Sequence, residues 1–182
     1  LGGLDLREER LASEYVFRGK ILKVRVDTVR LPDGRSSTRE VVEYAGAVAV
    51  VALDDEERAI LVRQYRYPVG AELLEIPAGK LEPGEDPLAC ARRELQEETG
   101  YVARDWQLVC TYYSTPGFTN ERMHIFTARG LEKGPASTDQ DEFIQVEAVP
   151  FTQALDLIRT GVICDGKSLV GLLTVAAANK GR

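Results

Sequence analysis

Residues 79–101 read GKLEPGEDPLACARRELQEETGY, and the spacing inside this stretch decides how the rest of the chain is read. Asp86 can cap a helix, Pro87 suits the first helical position, and Gly100 can close the helix in the left-handed conformation. A short helix is therefore predicted from Pro87 to about Thr99. Glu94, Glu97 and Glu98 then fall at i, i+3 and i+4, on one face. Like charges at those separations cost a helix a few tenths of a kcal/mol per pair. Taken alone, E-x-x-E-E is a solvated acidic face. A divalent cation gives the cluster another meaning, because Mg²⁺ takes oxygen ligands, keeps several waters and is often shared with substrate phosphates. The turns expected at Gly79 and Gly84 can carry a backbone carbonyl towards the same ion. Arg93, beside Glu94 and four residues before Glu97, offsets part of the charge.

The chain has 182 residues, enough for one globular domain with a small appendage, and its apolar (44%) and charged (29%) fractions are those of a folded soluble protein. No apolar run approaches the roughly 18 residues of a membrane span, and LGGLDLREERLASEY does not read as a signal peptide. A net charge of −6 argues against duplex nucleic acid as a partner, yet allows a small anionic ligand if a metal or a few arginines supply local positive charge. Cys90, Cys110 and Cys164 lack any paired spacing and read as thiols of a reducing cytosol. The one histidine, His124, lies in RMHIFTA, a strand pattern, so the chemistry must run mainly on carboxylates.

Residues 15–44 read as β structure around a PDG turn. AGAVAVVAL (45–53) is apolar throughout, the mark of a strand covered on both sides, and AILVRQYRY pairs back on it. Strands are expected near 106–113, 122–129 and 143–149, and helices near 152–160 and 166–179. The mixture predicts an α/β or α+β sandwich with a strand-only N-terminal segment.

Gly79, Glu85, Arg93, Glu94, Leu95, Glu97, Glu98 and Gly100 all fall on the spacing G-x5-E-x7-R-E-U-x-E-E-x-G-U, where U is bulky and apolar. Seven fixed identities at fixed offsets arise by chance on the order of once in 10⁸ registers. The stretch resembles the Nudix box, the signature of the Nudix hydrolase family, departing from it only at Tyr101, a packing position usually aliphatic. The resemblance implies an α/β/α sandwich around a mixed sheet and hydrolysis of a diphosphate linked to another moiety, with Mg²⁺ or Mn²⁺ as cofactor. It implies Glu94 and Glu98 as main metal ligands, Glu97 contributing, and the Ala78 carbonyl as a backbone ligand. Glu85 and Arg93 would brace the loop against the helix, with Gly79 and Gly100 as the structural glycines. Arg93 and Glu97 thus count with the catalytic group.

Beyond the box, YYSTPGFTNE resembles the S-P-G-F-x-x-E segment of ADP-ribose pyrophosphatases, with Thr115 where serine is usual and Pro116 sixteen residues after Gly100. A plain turn is the other reading of TPGF. The resemblance implies substrate contacts from Thr115, Gly117 and Glu121, and from the arginines Arg66 and Arg39, whose planar forks suit phosphate. It implies Glu142 as the base that takes a proton from water, with Glu121 a second candidate. It divides the chain into an N-terminal β segment (1–45), exchanged between the subunits of a homodimer and lining the substrate site, and a hydrolase domain (46–182); a plain β appendage packed on its own domain is the other reading of the first segment. The expected enzyme is cytoplasmic and cleaves ADP-ribose to AMP and ribose 5-phosphate, without nucleic-acid or membrane partners. Its rivals are hydrolysis of another nucleoside diphosphate sugar, such as ADP-glucose or GDP-mannose, and a nucleotide-sensing module that does not cut.

Overall fold

The computed structural model describes residues 5–134 and 143–179, and the chain divides into two compact units. The first, Leu1–Gly46 with Tyr113–Glu121, is built on an antiparallel sheet of β1 (Glu9–Arg18), β2 (Lys23–Arg30) and β3 (Ser36–Glu43). The PDG sequence makes the β2–β3 turn, with Gly34 at φ 87°. Along β3, the Val42 N–H donates to the Phe118 carbonyl (2.7 Å) and the Tyr44 N–H to the Asn120 side chain (3.0 Å), which ties the 113–121 segment to this sheet. Every residue of β1 is exposed.

The second unit comprises Ala47–Tyr112 and Arg122–Arg182. Its strands are β4 (Ala47–Leu53), β5 (Arg58–Arg66), β6 (Ala71–Glu75), β7 (Ala78–Lys80), β8 (Tyr101–Tyr113), β9 (Arg122–Lys133) and β10 (Gln145–Pro150), and its helices are α1 (Pro87–Thr99), α2 (Phe151–Arg159) and α3 (Gly166–Asn179). The main sheet path runs β10-β5-β4-β9-β8, with β6 paired to β5 and β7 to β4. The sheet is mixed: β4 and β9 are parallel, whereas β4–β5 and β5–β10 are antiparallel.

All seven residues of β4 are buried, and its alternating side chains explain why. Val48, Val50 and Ala52 pack with Cys90, Ala91 and Leu95 of α1. Ala49, Val51 and Leu53 pack with Ala154 of α2 and Leu172 and Val175 of α3. Helices thus cover both faces of the sheet, the α/β/α layering expected from the box. No helix among the described residues is long and apolar enough to cross a membrane.

Candidate active site

The helix that carries the acidic cluster starts and stops where its sequence dictates. The Asp86 carboxylate accepts from the Leu88 and Ala89 N–H groups, both at 3.0 Å, and Pro87 opens the first turn. Gly100 closes the helix at φ 69°, its N–H donating to the Gln96 carbonyl. Burial of Cys90, Ala91 and Leu95 against β4 fixes the rotation of α1. The glutamate face is thereby set towards β7 and the loop that follows it.

Arg93 is the hub of that face. Its Nε donates to Glu85 (3.1 Å), and its Nη1 to Glu94 (2.7 Å) and Glu97 (2.9 Å). Its Nη2 reaches Glu85 again at 3.2 Å and the Lys80 carbonyl at 3.4 Å. Glu85 also accepts from the Glu82 N–H at 2.9 Å. The Arg93 bonds, followed by that backbone donor, hold the Glu85 carboxyl down at about 2. Glu85 first, then the charge of Glu94, raises the pKa of Arg93 in turn. The half-buried guanidinium therefore ties the loop at Glu85 to the helix.

Glu98 is only 5% exposed, and its carboxylate accepts from the Ala78 N–H at 2.9 Å. The Glu94 carboxylate lies flat against the bare backbone of Gly79: a Cβ there would stand 1.8–2.2 Å from its atoms. Two carboxylates thus converge on the Ala78–Gly79 backbone in a cradle that a single methyl group would fill. Hard oxygen donors on one short stretch of chain suit Mg²⁺ or Mn²⁺, since Mg²⁺ needs only one or two protein carboxylates. Among the described residues no group of three or more His, Cys, Asp or Glu side chains is arranged to hold a metal ion. Arg93 instead occupies the space among Glu85, Glu94 and Glu97.

The remaining sequence candidates stand as follows. Arg66 grips Glu75 through Nε (3.0 Å) and Nη2 (2.6 Å), and the charge of Glu98 also acts on it. Glu75 is fully buried and also pairs with Lys167 at 3.0 Å. In the N-terminal unit, Arg39 holds Glu8 at 2.5 and 2.9 Å. Thr115, Gly117 and Glu121 belong to that unit too: the Thr115 carbonyl accepts from the Phe118 and Thr119 N–H groups (3.3 Å each), and the Glu121 carbonyl accepts from the Ser114 N–H (3.3 Å). A side chain at Gly117 would meet open space. Glu142 lies outside the described residues. His124 stands on β9 against Thr111 Oγ1 (3.1 Å), with burial and the Arg122 charge lowering its pKa.

The sequence reading passed over Glu75, Lys167, Asp165 and Ser168. The second glutamate of ELLEIPAG, Glu75, between buried Leu74 and Ile76, was a usable signal, because a buried carboxylate demands a cation. Lys167 and Ser168 lie some 90 residues away and had none.

Known proteins resemble this chain along nearly its whole length. The model of the NUDIX domain matches residues 43–169, and that of the nucleoside diphosphate sugar hydrolase N-terminal domain matches residues 8–42. The chain is 41% identical to the methanol dehydrogenase activator of Bacillus methanolicus over 93% of both chains. It is 42% identical to the ADP-ribose pyrophosphatase of Bacillus subtilis over 90% of both. A crystal structure of an ADP compounds hydrolase shares the fold at a TM-score of 0.88, covering 100% of this chain and 98% of that one at 24% identity. Membership implies dependence on a divalent metal. The chain belongs to the NUDIX family and is a Nudix hydrolase with pyrophosphatase activity on a nucleoside diphosphate compound.

Proposed function

We propose that this enzyme hydrolyses ADP-ribose to AMP and ribose 5-phosphate with Mg²⁺, Mn²⁺ serving in its place. The cradle of Glu94 and Glu98 over Ala78–Gly79 carries the reading of the chemistry. The choice of substrate rests on the 42% identity to an ADP-ribose pyrophosphatase.

In the proposed reaction, water attacks one phosphorus, the P–O–P bridge breaks, and the water proton passes to a carboxylate. Glu94, Glu98, Glu97 and the Ala78 carbonyl would hold the metal. When bound, it neutralises the diphosphate, polarises phosphorus and lowers the pKa of the attacking water. Arg93 keeps Glu94 and Glu97 in place, Gly79 leaves room for the carboxylate, and Glu85 and Gly100 frame the loop and the helix end. Glu142 takes the proton, with Glu121 as the second candidate. Arg39, Arg66, Thr115, Gly117 and Glu121 contact the substrate.

Residues 1–45 act as a dimerisation and substrate-site segment and 46–182 as the hydrolase domain. The exposed Leu11, Val16 and Phe17 of β1 support a homodimer in which a second copy covers this strand by exchange. Three free cysteines support a cytoplasmic site of action.

Mass spectrometry of products tests the proposal. The enzyme is incubated with Mg²⁺ and a panel of ADP-ribose, ADP-glucose, GDP-mannose and NADH. Fastest loss of ADP-ribose, yielding AMP and ribose 5-phosphate, is expected. Preference for another nucleotide sugar would overturn the substrate but not the site. No turnover with either metal would favour a nucleotide-sensing module.

A further inference from the structure

Four consecutive residues, Glu75 to Ala78, connect β6 to the metal cradle, and other elements hold each of them. Glu75 is gripped by Arg66 of β5 and by Lys167 of α3. The Ile76 N–H donates to Ser168 Oγ on α3 at 2.9 Å, a buried bond spanning 92 residues of sequence. The Pro77 carbonyl accepts from the Val50 N–H of β4 at 2.8 Å, and the Ala78 N–H donates to Glu98 of α1 at 2.9 Å.

The first turn of α3 is shaped for this task. Asp165 accepts from the Ser168 N–H (3.2 Å) and from Lys167 Nζ (2.8 Å), which aims the turn. One turn on, Gly171 lets the helix close on the sheet: a Cβ there would lie 3.0 Å from both Ile76 and Val51 side chains. Ser168 is fully buried, so its hydroxyl is an internal acceptor for the N–H of buried Ile76, in the link between β6 and β7, which has no route to water.

We propose that Ser168 is a positioning residue for the metal site: by fixing the Ile76 N–H, it sets the backbone of Ala78 and Gly79 against the Glu94 and Glu98 carboxylates. This rests on the metal-site reading above. The residues that orient the groups around a metal commonly change affinity or activity about 10- to 100-fold when altered. The hydroxyl of Ser168 acts two residues upstream of the cradle and touches no substrate.

The test uses Ser168→Ala and Ser168→Cys in the full chain, the latter keeping nearly the same volume with a poor acceptor. Neither alters the backbone N–H that Asp165 caps. Mn²⁺ binding to the substrate-free protein, followed by electron paramagnetic resonance, is expected to weaken at least about tenfold in both variants. The Mg²⁺ concentration for half-maximal rate should rise in parallel, while kcat at saturating Mg²⁺ largely recovers. A purely structural role would lower the melting temperature and leave Mn²⁺ affinity alone. Parental Mn²⁺ affinity in either folded variant overturns the proposal, as does failure of both to fold. Glu98→Gln runs beside them: if it too binds Mn²⁺ like the parent, the metal-site reading has failed, and not merely the role of Ser168.

Discussion

Gly79→Ala isolates the cradle from the fold. The φ of Gly79 lies outside the left-handed region, so alanine suits its backbone, yet the new Cβ would stand 1.8 Å from the Glu94 carboxyl carbon. Ordinary contact begins at 3.4 Å, so the carboxylate must retreat by about 1.6 Å. It can do so cheaply, being the far end of a flexible side chain. Replacing glycine where alanine fits stabilises by about 0.4–1 kcal/mol through the unfolded state. Loss of the part-exposed Arg93–Glu94 pair costs about 0–1 kcal/mol, so the two nearly cancel. The melting temperature should stay within a few degrees of the parent. Activity should not: misplacing a group by about 1 Å can cost on the order of 100-fold. The assay is kcat/KM at saturating Mg²⁺ beside a thermal melt. Adding Glu94→Asp shortens the side chain by about 1.5 Å, one carbon–carbon bond, and should restore part of the loss, so the two substitutions must couple. A Gly79→Ala enzyme within threefold of parental kcat/KM, or strictly additive effects in the pair, would refute the cradle.

Glu98→Gln keeps an acceptor for the Ala78 N–H but loses the charge, so Mg²⁺-dependent turnover should vanish with the melt little changed; Glu94→Gln should do the same, and full activity in either sinks the metal assignment. Arg93→Met should destabilise the metal-free protein most near neutral pH. Glu85 is held at about 2 against an ordinary 4.5, so its contribution is complete above that ordinary value and fades as pH falls towards 2; a urea-melt deficit constant across that window would contradict this. Buried Cys90, its thiol pushed up to about 12 by burial and then by Glu85, should resist Ellman's reagent until the protein unfolds, while exposed Cys164 reacts at once. Loss of the fast phase in Cys164→Ser checks that assignment, and its survival contradicts it.

The box was legible because its chemistry is local. Asp86, Pro87 and Gly100 mark the ends of α1 within the chain itself, and helical spacing alone puts three glutamates on one face. The run 47–53 likewise announces a strand buried on both sides. Other features depended on partners distant in sequence. β8 begins at Tyr101 instead of near 106, because Arg104 and Asp105, which look like turn residues, lie exposed on the last strand of the sheet path. β1 begins at Glu9, inside the polar run REER, because it pairs with β2 from Glu9 opposite Arg30 to Arg18 opposite Lys23, with bulges at Leu11 and Val16. Arg66 is proposed as a substrate contact, and its grip on buried Glu75 is a separate, tertiary fact with no local trace beyond a charge in an apolar strand.

Charge arithmetic around the cradle makes a final demand on the metal. Glu85, Glu94 and Glu97 surround a single guanidinium, and Glu98 stands nearby on the Ala78 N–H, so these five side chains sum formally to three negative charges. The neighbouring cluster of Arg66, Lys167, Glu75 and Asp165 sums formally to zero and adds no net charge, although Arg66 acts on Glu98 across it. One divalent ion therefore leaves the site negative towards an incoming diphosphate, and a half-buried position screens that repulsion less than open water does. A second ion is needed to make the site attractive, so initial rates should rise with Mg²⁺ more steeply than first order, with a Hill coefficient above about 1 at fixed substrate. Simple hyperbolic saturation by one Mg²⁺, with matching one-site Mn²⁺ binding in the presence of product, would show that positive charge reaches the diphosphate from protein side chains. The arginines Arg39 and Arg66 would then become the residues to remove first.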